Sequence, residues 1–264
     1  MTACNDSGTP PKIEAYAYSS TQATVRCEAG VRLGPAGATD REVSADGIRY
    51  NVRAPSNYDA TVAHALLMVY TPAGQSRWQS EQLTGLTPPA TGAGFIVVYA
   101  DHRPLGIPAI EQLSTIPGLV AKKWCVDENK VYLTGHSDGG TVSVALAVLD
   151  ETKKLPAGIA PSAAGFAGKD LEAFRCRPPI QVMIMHSVND SLFPGLGAQT
   201  GAWWAACNKC DVEAKKKIDD GCIAYQKCAP GGATLYCEGT GSHREWPQRN
   251  RVMLDFFAHS GKFQ

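Results

Sequence analysis

Four short apolar runs constrain the fold of this chain more than any other feature. They cover residues 65–70, 95–100, 131–134 and 180–185, and segments long enough to form helices separate them. A continuous apolar run of this length is typical of a strand that is buried on both faces, as in a parallel sheet with helices on either side. The sequence therefore predicts an α/β fold with a mostly parallel central sheet covered by helices on both faces.

Three segments have helical patterns. Residues 110–123 carry apolar side chains at near-helical spacing, although Pro117 interrupts that helix or marks its first turn. Residues 139–149 are small and apolar all round, and residues 248–259 close the chain with one apolar face. The Asp46-Gly47 step between two alternating runs predicts a hairpin. We expect residues 1–40 to form a tail with loops, and residues 41–264 a single domain with a Cys-rich insertion around 207–237.

The balance of charge excludes some classes of partner. The 264 residues include 25 basic and 25 acidic ones, so the formal net charge is zero. The chain has no surplus of basic residues, so its charge gives no indication that it binds nucleic acid or anionic lipid. The apolar runs are far shorter than the roughly 20 residues of a membrane-spanning helix. We expect a soluble monomer, and we interpret the lysine run 215–217 as a solvated face rather than a binding patch.

The cysteines indicate an oxidising compartment. Five of the nine fall between Cys207 and Cys237, a density typical of disulfide-bonded exported proteins. A zinc site on Cys207 and Cys210 is the competing interpretation, but no second Cys-x-x-Cys pair accompanies it. The odd cysteine, Cys4, looks like the lipid-bearing residue of a mature bacterial lipoprotein, and a free terminal cysteine is the alternative. We therefore expect a secreted or periplasmic protein, with lipid anchoring at Cys4 as an open variant and the other eight cysteines in four disulfides.

One short motif points to chemistry. Residues 135–139 read Gly-His-Ser-Asp-Gly, a β-rich run leads into them, and a helix-forming run follows. This context is that of a nucleophile elbow, a turn between strand and helix so tight that flanking side chains would collide with neighbouring backbone. The sequence predicts that Ser137 stands exposed at the end of the sheet as a nucleophile.

A serine hydroxyl needs a base, and that base needs an acid to orient it. We predict His243, in a loop before the last helix, as the base and Asp190, after the fourth apolar run, as the acid. Ser137, Asp190 and His243 follow the chain order of this fold, at equal intervals of 53 residues. An isolated aspartate after a strand is more often a turn residue, and an isolated loop histidine is more often solvated. His186 is the second candidate for the base, and the remaining histidines are less well placed: His64, His102, His136 and His259.

The same motif suggests an oxyanion hole. The amide of Asp138 should hold the oxyanion, together with an amide from the loop at residues 71–74. Pro72 has no N–H, so Ala73 is the predicted donor, and Thr71 lies on the substrate side of this loop. The carboxylate of Asp138 is not the predicted acid, because neighbours on a tight turn point apart.

At this point the residues resemble the esterases grouped with polyhydroxybutyrate depolymerases and feruloyl or acetylxylan esterases, members of the α/β-hydrolase superfamily. The similar stretches are residues 49–55 with Tyr58, 124–140, 186–194 and 228–247. The resemblance implies a secreted serine esterase with the α/β-hydrolase fold and with Ser137, Asp190 and His243 as its triad. Such enzymes commonly have His-Gly where this chain has Thr-Pro at 71–72, and a tighter His-x-Trp-Pro where this chain has residues 243–247.

The expected reaction is ester hydrolysis through an acyl-enzyme, and it requires no metal or organic cofactor. Plant-derived aryl or acetyl esters are the first expected substrates, and aliphatic polyesters such as polyhydroxybutyrate are the alternative. A binding protein on a catalytically dead hydrolase frame is a hypothesis from a different class. Four aromatic residues could form a wall for a flat or polymeric substrate, or could be ordinary core: Phe193, Trp203, Trp204 and Trp246.

Overall fold

A computed structural model describes residues 25–219 and 221–263, and its centre is one ten-stranded sheet. The strands are β1 (Gly37–Val43), β2 (Arg49–Ala54), β3 (His64–Tyr70), β4 (Ile96–Ala100), β5 (Val126–His136), β6 (Gly158–Ser162), β7 (Gln181–Asn189), β8 (Asp211–Asp219), β9 (Cys222–Gln226) and β10 (Ala233–Ser242). Their order across the sheet is β1-β2-β4-β3-β5-β6-β7-β10-β9-β8. The six central strands run parallel, and an antiparallel pair flanks them on each side.

Helices cover both faces of this sheet. They are α1 (Arg77–Thr84), α2 (Thr87–Gly92), α3 (Ile107–Ser114), α4 (Ile116–Lys123), α5 (Asp138–Val148), α6 (Gly168–Leu171), α7 (Leu196–Cys207) and α8 (Asn250–Ala258), followed by a 3₁₀ helix at Ser260–Phe263. One apolar cluster packs α3 to α7 against one face of the sheet, and a second packs α2 and α8 against the other. The predicted fold class is confirmed.

The four apolar runs became four of the central strands, because side chains on both faces of each strand are buried. In β3, Leu66, Met68 and Tyr70 belong to one cluster, and the alternating Leu67 and Val69 belong to the other. The predicted helix at 110–123 is two helices, α3 and α4. Pro117 lies in the first turn of α4, where its missing N–H leaves no hydrogen bond unmade.

The amino-terminal boundary differs from the prediction. The hairpin around Asp46 and Gly47 is present, but its first strand, β1, begins at Gly37, inside the segment expected to be tail and loops. Before it, Cys27 forms a disulfide with Cys125. The described chain is therefore attached to the sheet well before residue 41, and the lipid-anchor prediction at Cys4 lies outside the described residues.

The Cys-rich segment is part of the sheet rather than an insertion beside it. β8, β9 and β10 extend the sheet past β7, and β10 pairs with β7 in parallel. Cys207 bonds to Cys176 and Cys210 to Cys228, so the two cysteines of the Cys-x-x-Cys pair belong to different disulfides and the zinc interpretation is wrong. Cys222 and Cys237, directly opposite each other on β9 and β10, form the fourth described disulfide. Within the described part of the chain, no helix is both long enough and apolar enough to span a bilayer.

Candidate active site

The Gly-His-Ser-Asp-Gly motif forms the tight turn between β5 and α5. Ser137 has φ 54° and ψ −117°, a backbone conformation that is strained for a residue with a side chain. A Cβ on Gly139 would lie 1.9 Å from the carbonyl oxygen of Tyr70, and one on Gly135 would lie 2.5 Å from the same oxygen. The predicted need for glycine on both sides of Ser137 is therefore met by the backbone of β3.

His243 lies within hydrogen-bond distance of the serine. It follows β10 in a two-residue turn, and its Nε2 lies 2.9 Å from the Ser137 Oγ. The Ser242 amide and hydroxyl both donate to the carboxylate of Glu245 at 2.8 Å, which fixes this turn. The ring is presented at the carboxyl end of the parallel strands, where the elbow also lies.

Asp190 lies on the other side of the imidazole, after β7. Its Oδ2 is 2.8 Å from the Nδ1 of His243, and its Oδ1 accepts the amides of Leu192 and Phe193, each at 2.9 Å. Burial acts to raise the pKa of Asp190, but these hydrogen bonds outweigh it and hold the pKa below its ordinary value. The charged carboxylate accepts a hydrogen bond from the Nδ1–H of His243, which leaves Nε2 as the acceptor for the serine hydroxyl.

His136, inside the motif, is hydrogen-bonded to the backbone of the base. Its Nε2 lies 2.6 Å from the backbone carbonyl oxygen of His243, and its Nδ1 lies 3.0 Å from the Ser162 Oγ. Burial lowers the pKa of His136, and because a carbonyl oxygen can only accept, its Nε2 is the donor in this hydrogen bond. The sequence predicts no role for His136 and does not reveal that this side chain holds the turn that carries the base, a contact across 107 residues.

His186, the second candidate for the base, has a different position. Its buried Nε2 donates to the carbonyl oxygen of Phe193 at 2.7 Å and lies 3.6 Å from the carboxylate of Asp190. It therefore braces the loop that carries the acid. Two further histidines lie in unrelated surroundings: His64 bonds to the carbonyl oxygen of Gly94, and His259 pairs with Asp255 on α8.

A cavity of about 250 Å³ borders the acid and the base. Its lining includes Asp190 and His243, together with His136, His186 and Trp246, but Ser137 is not among the described residues that line it. Several waters would fit in such a volume. The cavity thus borders the part of the site that carries the acid and the base.

Three residues predicted to contact substrate are buried: Thr71, Trp204 and Trp246. The hydroxyl of Thr71 donates to the carbonyl oxygen of Ala100 at 2.5 Å, so its side chain is bound within the sheet. Trp204 is fully buried in the core, and Trp246 is 4% exposed with its Nε1 donating to Asn250. These indoles fill apolar volume, which is the alternative that the sequence left open.

The other two aromatic residues have different surroundings. Trp203 is partly buried, packs against the core and meets Trp204 edge to face. Phe193 is partly exposed, and its ring lies edge-on to that of His243, with 5.1 Å between centroids. Phe193 is therefore the predicted aromatic residue that the structure brings to the base.

The loop after β3 lies against the elbow. Beside the close approach of Gly139 to Tyr70, a Cβ on Gly139 would lie 3.1 Å from the amide nitrogen of Thr71. Ala73 follows in an exposed turn, and Asp138 is the first residue of α5, so its amide has no carbonyl one turn back in the helix. The loop after β3 and the first turn of α5 are thus next to each other beside Ser137.

The hydroxyl of Ser137 is hydrogen-bonded to the imidazole of His243, whose other nitrogen is hydrogen-bonded to the buried carboxylate of Asp190. This arrangement is the catalytic triad of serine hydrolases. The elbow and the sheet around it are those of the α/β-hydrolase fold. The chain is therefore a serine hydrolase with this fold.

Comparison with known proteins shows which serine hydrolases the chain resembles. Feruloyl esterase D of Neurospora crassa is 25% identical over an alignment of 273 positions, which covers 94% of this chain and 89% of the relative. An acetyl xylan esterase from Aspergillus awamori superposes with a TM-score of 0.61 at 14% identity, over 84% of this chain and 99% of its own. A fluorophosphonate-binding serine hydrolase of Staphylococcus aureus superposes with a TM-score of 0.59 at 14% identity, over 85% of this chain and 99% of that structure. No protein-family model matches the sequence.

These similarities confirm the resemblance to feruloyl and acetylxylan esterases that the sequence predicts. The chain is a carboxylic ester hydrolase of the serine hydrolase class.

Proposed function

We propose that this protein cleaves carboxylic esters through an acyl-enzyme on Ser137, with His243 as the base and Asp190 as the acid. The observation that carries the proposal is the continuous hydrogen-bonded line from the Ser137 Oγ to His243, at 2.9 Å, and from His243 to Asp190, at 2.8 Å. As Oγ attacks the ester carbonyl carbon, Nε2 of His243 takes its proton, and Asp190 stabilises the imidazolium. The proton then passes to the leaving alkoxide.

The second half of the reaction uses the same groups. A water loses its proton to His243 and attacks the acyl carbon, and Ser137 leaves with that proton. The amides of Asp138 and Ala73 are the proposed donors to the oxyanion in both halves. The position of Gly139 against the backbone at residues 70–71 supports a donor from this loop, because it brings the loop next to the elbow.

Aryl or acetyl esters of plant cell walls are the proposed substrates. Support comes from the names of the similar proteins and from Phe193, whose partly exposed ring lies beside the base and could pack against a flat aryl group. Polyhydroxybutyrate-like polyesters are the second candidate. Three exposed aliphatic side chains favour it: Leu192 in the acid loop, 64% exposed, and Leu105 and Ile107 in the segment after β4. Carboxyl ends of parallel strands meet at one rim, so these side chains could contact an apolar polymer there.

Export and a monomeric state complete the proposal. Four described disulfides are typical of an oxidising compartment. We propose a secreted or periplasmic enzyme that carries no nucleic acid, with Cys4 as a possible lipid attachment point. We also propose that the chain forms a single catalytic domain, whose sheet begins at Gly37 rather than after residue 40.

The first experiment asks whether Ser137 is the nucleophile. Wild-type protein should release 4-nitrophenol from 4-nitrophenyl acetate and be labelled by a fluorophosphonate, and Ser137→Ala should lose both with an unchanged melting temperature. Ser114→Ala, on the surface of α3, is the matched control and should behave as wild type. Turnover retained by Ser137→Ala would reject the assignment. A folded wild-type protein that neither hydrolyses 4-nitrophenyl acetate nor reacts with the fluorophosphonate would favour a binding protein on a catalytically dead hydrolase frame.

The second experiment separates the substrate classes. Methyl ferulate, acetylated xylan, short 4-nitrophenyl esters and a polyester film are compared by the acid released per enzyme. Faster release from the film than from methyl ferulate and acetylated xylan would favour the polyester candidate. The reverse order would support the cell-wall esters.

A further inference from the structure

A second histidine–aspartate pair lies beside the proposed nucleophile. The Nε2 of His102 is 3.0 Å from the Oδ2 of Asp138, and the two side chains are 18% and 24% exposed. Asp138 directly follows Ser137 in the motif, and His102 follows β4. The mechanism proposed above uses the backbone of Asp138 but neither of these side chains.

The hydrogen bond between His102 and Asp138 crosses the loop after β3, residues 71–74, which carries the proposed oxyanion donor. In the sheet, β3 lies between β4 and β5, so a bond from the end of β4 to the start of α5 must pass over the end of β3. The loop after β3 carries Ala73, the proposed second donor. The side chains of His102 and Asp138 therefore lie on the same side of Ser137 as the amides proposed to hold the oxyanion.

Asp138 has opposing effects at this place. A carboxylate in the first turn of a helix is favoured by the helix dipole, and Asp138 is the acidic residue in the first turn of α5. Its amide, however, is proposed to stabilise a negative oxygen, and a nearby negative side chain would oppose that charge. The carboxylate must therefore be turned away or neutralised for the amide to be effective.

His102 is placed both to hold the Asp138 carboxylate away from the oxyanion and to offset its charge. Within residues 25–219 and 221–263, it is the side chain found hydrogen-bonded to the carboxylate of Asp138. The neighbouring arginines have other partners: Arg77 binds Asp101, and Arg103 binds the carbonyl oxygen of Asp46. The imidazole N–H of His102 thus supplies the positive end that faces this carboxylate.

We infer that His102 is a positioning residue, which holds the Asp138 carboxylate toward the end of β4 and offsets its charge, so that the Asp138 amide serves the oxyanion. This inference rests on the proposed function, because it presupposes an acyl transfer at Ser137. It predicts that the effect of losing His102 depends on the charge of Asp138.

The test is a set of four variants assayed with 4-nitrophenyl acetate. His102→Ala should lower kcat by about tenfold or more, approaching the effect of a lost oxyanion donor, with KM within about twofold. His102→Gln, which keeps an N–H donor, should recover most of that loss. The double variant His102→Ala with Asp138→Asn should also recover it, since no unpaired carboxylate remains, and Asp138→Asn alone completes the double-mutant cycle. His259→Ala, a surface histidine paired with Asp255, is the control.

A second measurement reads the oxyanion directly. A trifluoromethyl ketone forms a tetrahedral adduct with an active-site serine, and this adduct carries the negative oxygen. Its inhibition constant should rise in His102→Ala by the same factor as kcat/KM falls, and should return in the double variant. A merely structural role would lower the melting temperature and leave a loss that the double variant does not recover.

The outcomes separate this inference from the proposed function. If wild type does not turn over esters, or if Ser137→Ala still does, the proposed function fails and the inference fails with it. If wild type is active and Ser137→Ala is dead, the inference alone is overturned by a His102→Ala variant with wild-type kcat and inhibitor affinity. A loss that persists in the double variant also overturns it.

Discussion

Replacing Asp190 with asparagine should remove most turnover and leave the fold intact, because the structure dictates how the new amide must point. Oδ1 accepts the amides of Leu192 and Phe193, and Oδ2 faces the Nδ1 of His243. Asparagine has an oxygen on one side only, and the two backbone donors require it at the Oδ1 position. Its NH₂ group then faces His243 and drives the ring proton onto Nε2, the nitrogen that must accept from Ser137.

The expected loss follows from the lost charge and the wrong tautomer. With charge centres about 4 Å apart and an effective dielectric constant of about 20, the imidazolium–carboxylate attraction is about 4 kcal/mol, or about 10³ in rate. An asparagine at the equivalent position of a chymotrypsin-like serine protease costs about 10⁴ in kcat through the wrong tautomer. We expect kcat of Asp190→Asn to fall between these two factors.

The assay combines 4-nitrophenyl acetate turnover with urea unfolding. The free energy of unfolding of Asp190→Asn should stay within about 1 kcal/mol of wild type, because both backbone hydrogen bonds are kept. Asp190→Ala is the matched comparison: it leaves two amides without an acceptor and should lose about 1–3 kcal/mol. An asparagine variant that keeps more than about a tenth of wild-type kcat, a barrier change below about 1.4 kcal/mol, would refute the assignment of Asp190 as the acid.

Three further predictions concern stability. Burial lowers the pKa of both His64 and His136, so unfolding takes up protons, and the free energy of unfolding should fall as the pH drops through about 6.5; equal urea midpoints at about pH 7.5 and 5.5 would contradict this. Removing the Cys27–Cys125 disulfide with a double serine variant opens a loop of 98 residues and should cost about 4–5 kcal/mol by chain entropy, and a loss below about 1 kcal/mol in urea unfolding would count against it. Gly139→Ala should prevent assembly of the elbow, because its Cβ would lie 1.9 Å from a β3 carbonyl; soluble, active protein from this variant would contradict the geometry.

The sequence predicted the centre of the sheet because the signal there is strong. β3, β4, β5 and β7 each contain a continuous apolar run, and such a run indicates burial on both faces of the strand. β6 was missed, since its five residues include Gly158 and Pro161, which are rare in strands. β10 was missed for a similar reason, because two glycines interrupt its alternation. Strands with such interruptions are fixed by their neighbours in the sheet rather than by their own composition.

The candidate site divides in the same way. Ser137 stands in a local motif, and Asp190 and His243 follow from the chain order of the fold, so their meeting could be predicted. The bonds made by His136 and His102 cross 107 and 36 residues and join loops whose shapes no periodicity determines. Such contacts depend on where the ends of separate strands lie, and they become visible only in three dimensions.

The three lysines of β8 have a consequence for self-association. β8 ends the sheet, and Lys215, Lys216 and Lys217 are all exposed along it. An outermost strand with unpaired backbone groups is a template on which another chain can add, and a row of like charges makes that addition costly because two copies would bring their ammonium groups together. The hairpin that widens this sheet thus also carries its own protection against fibre-like stacking, in a molecule whose net charge of zero offers no general repulsion.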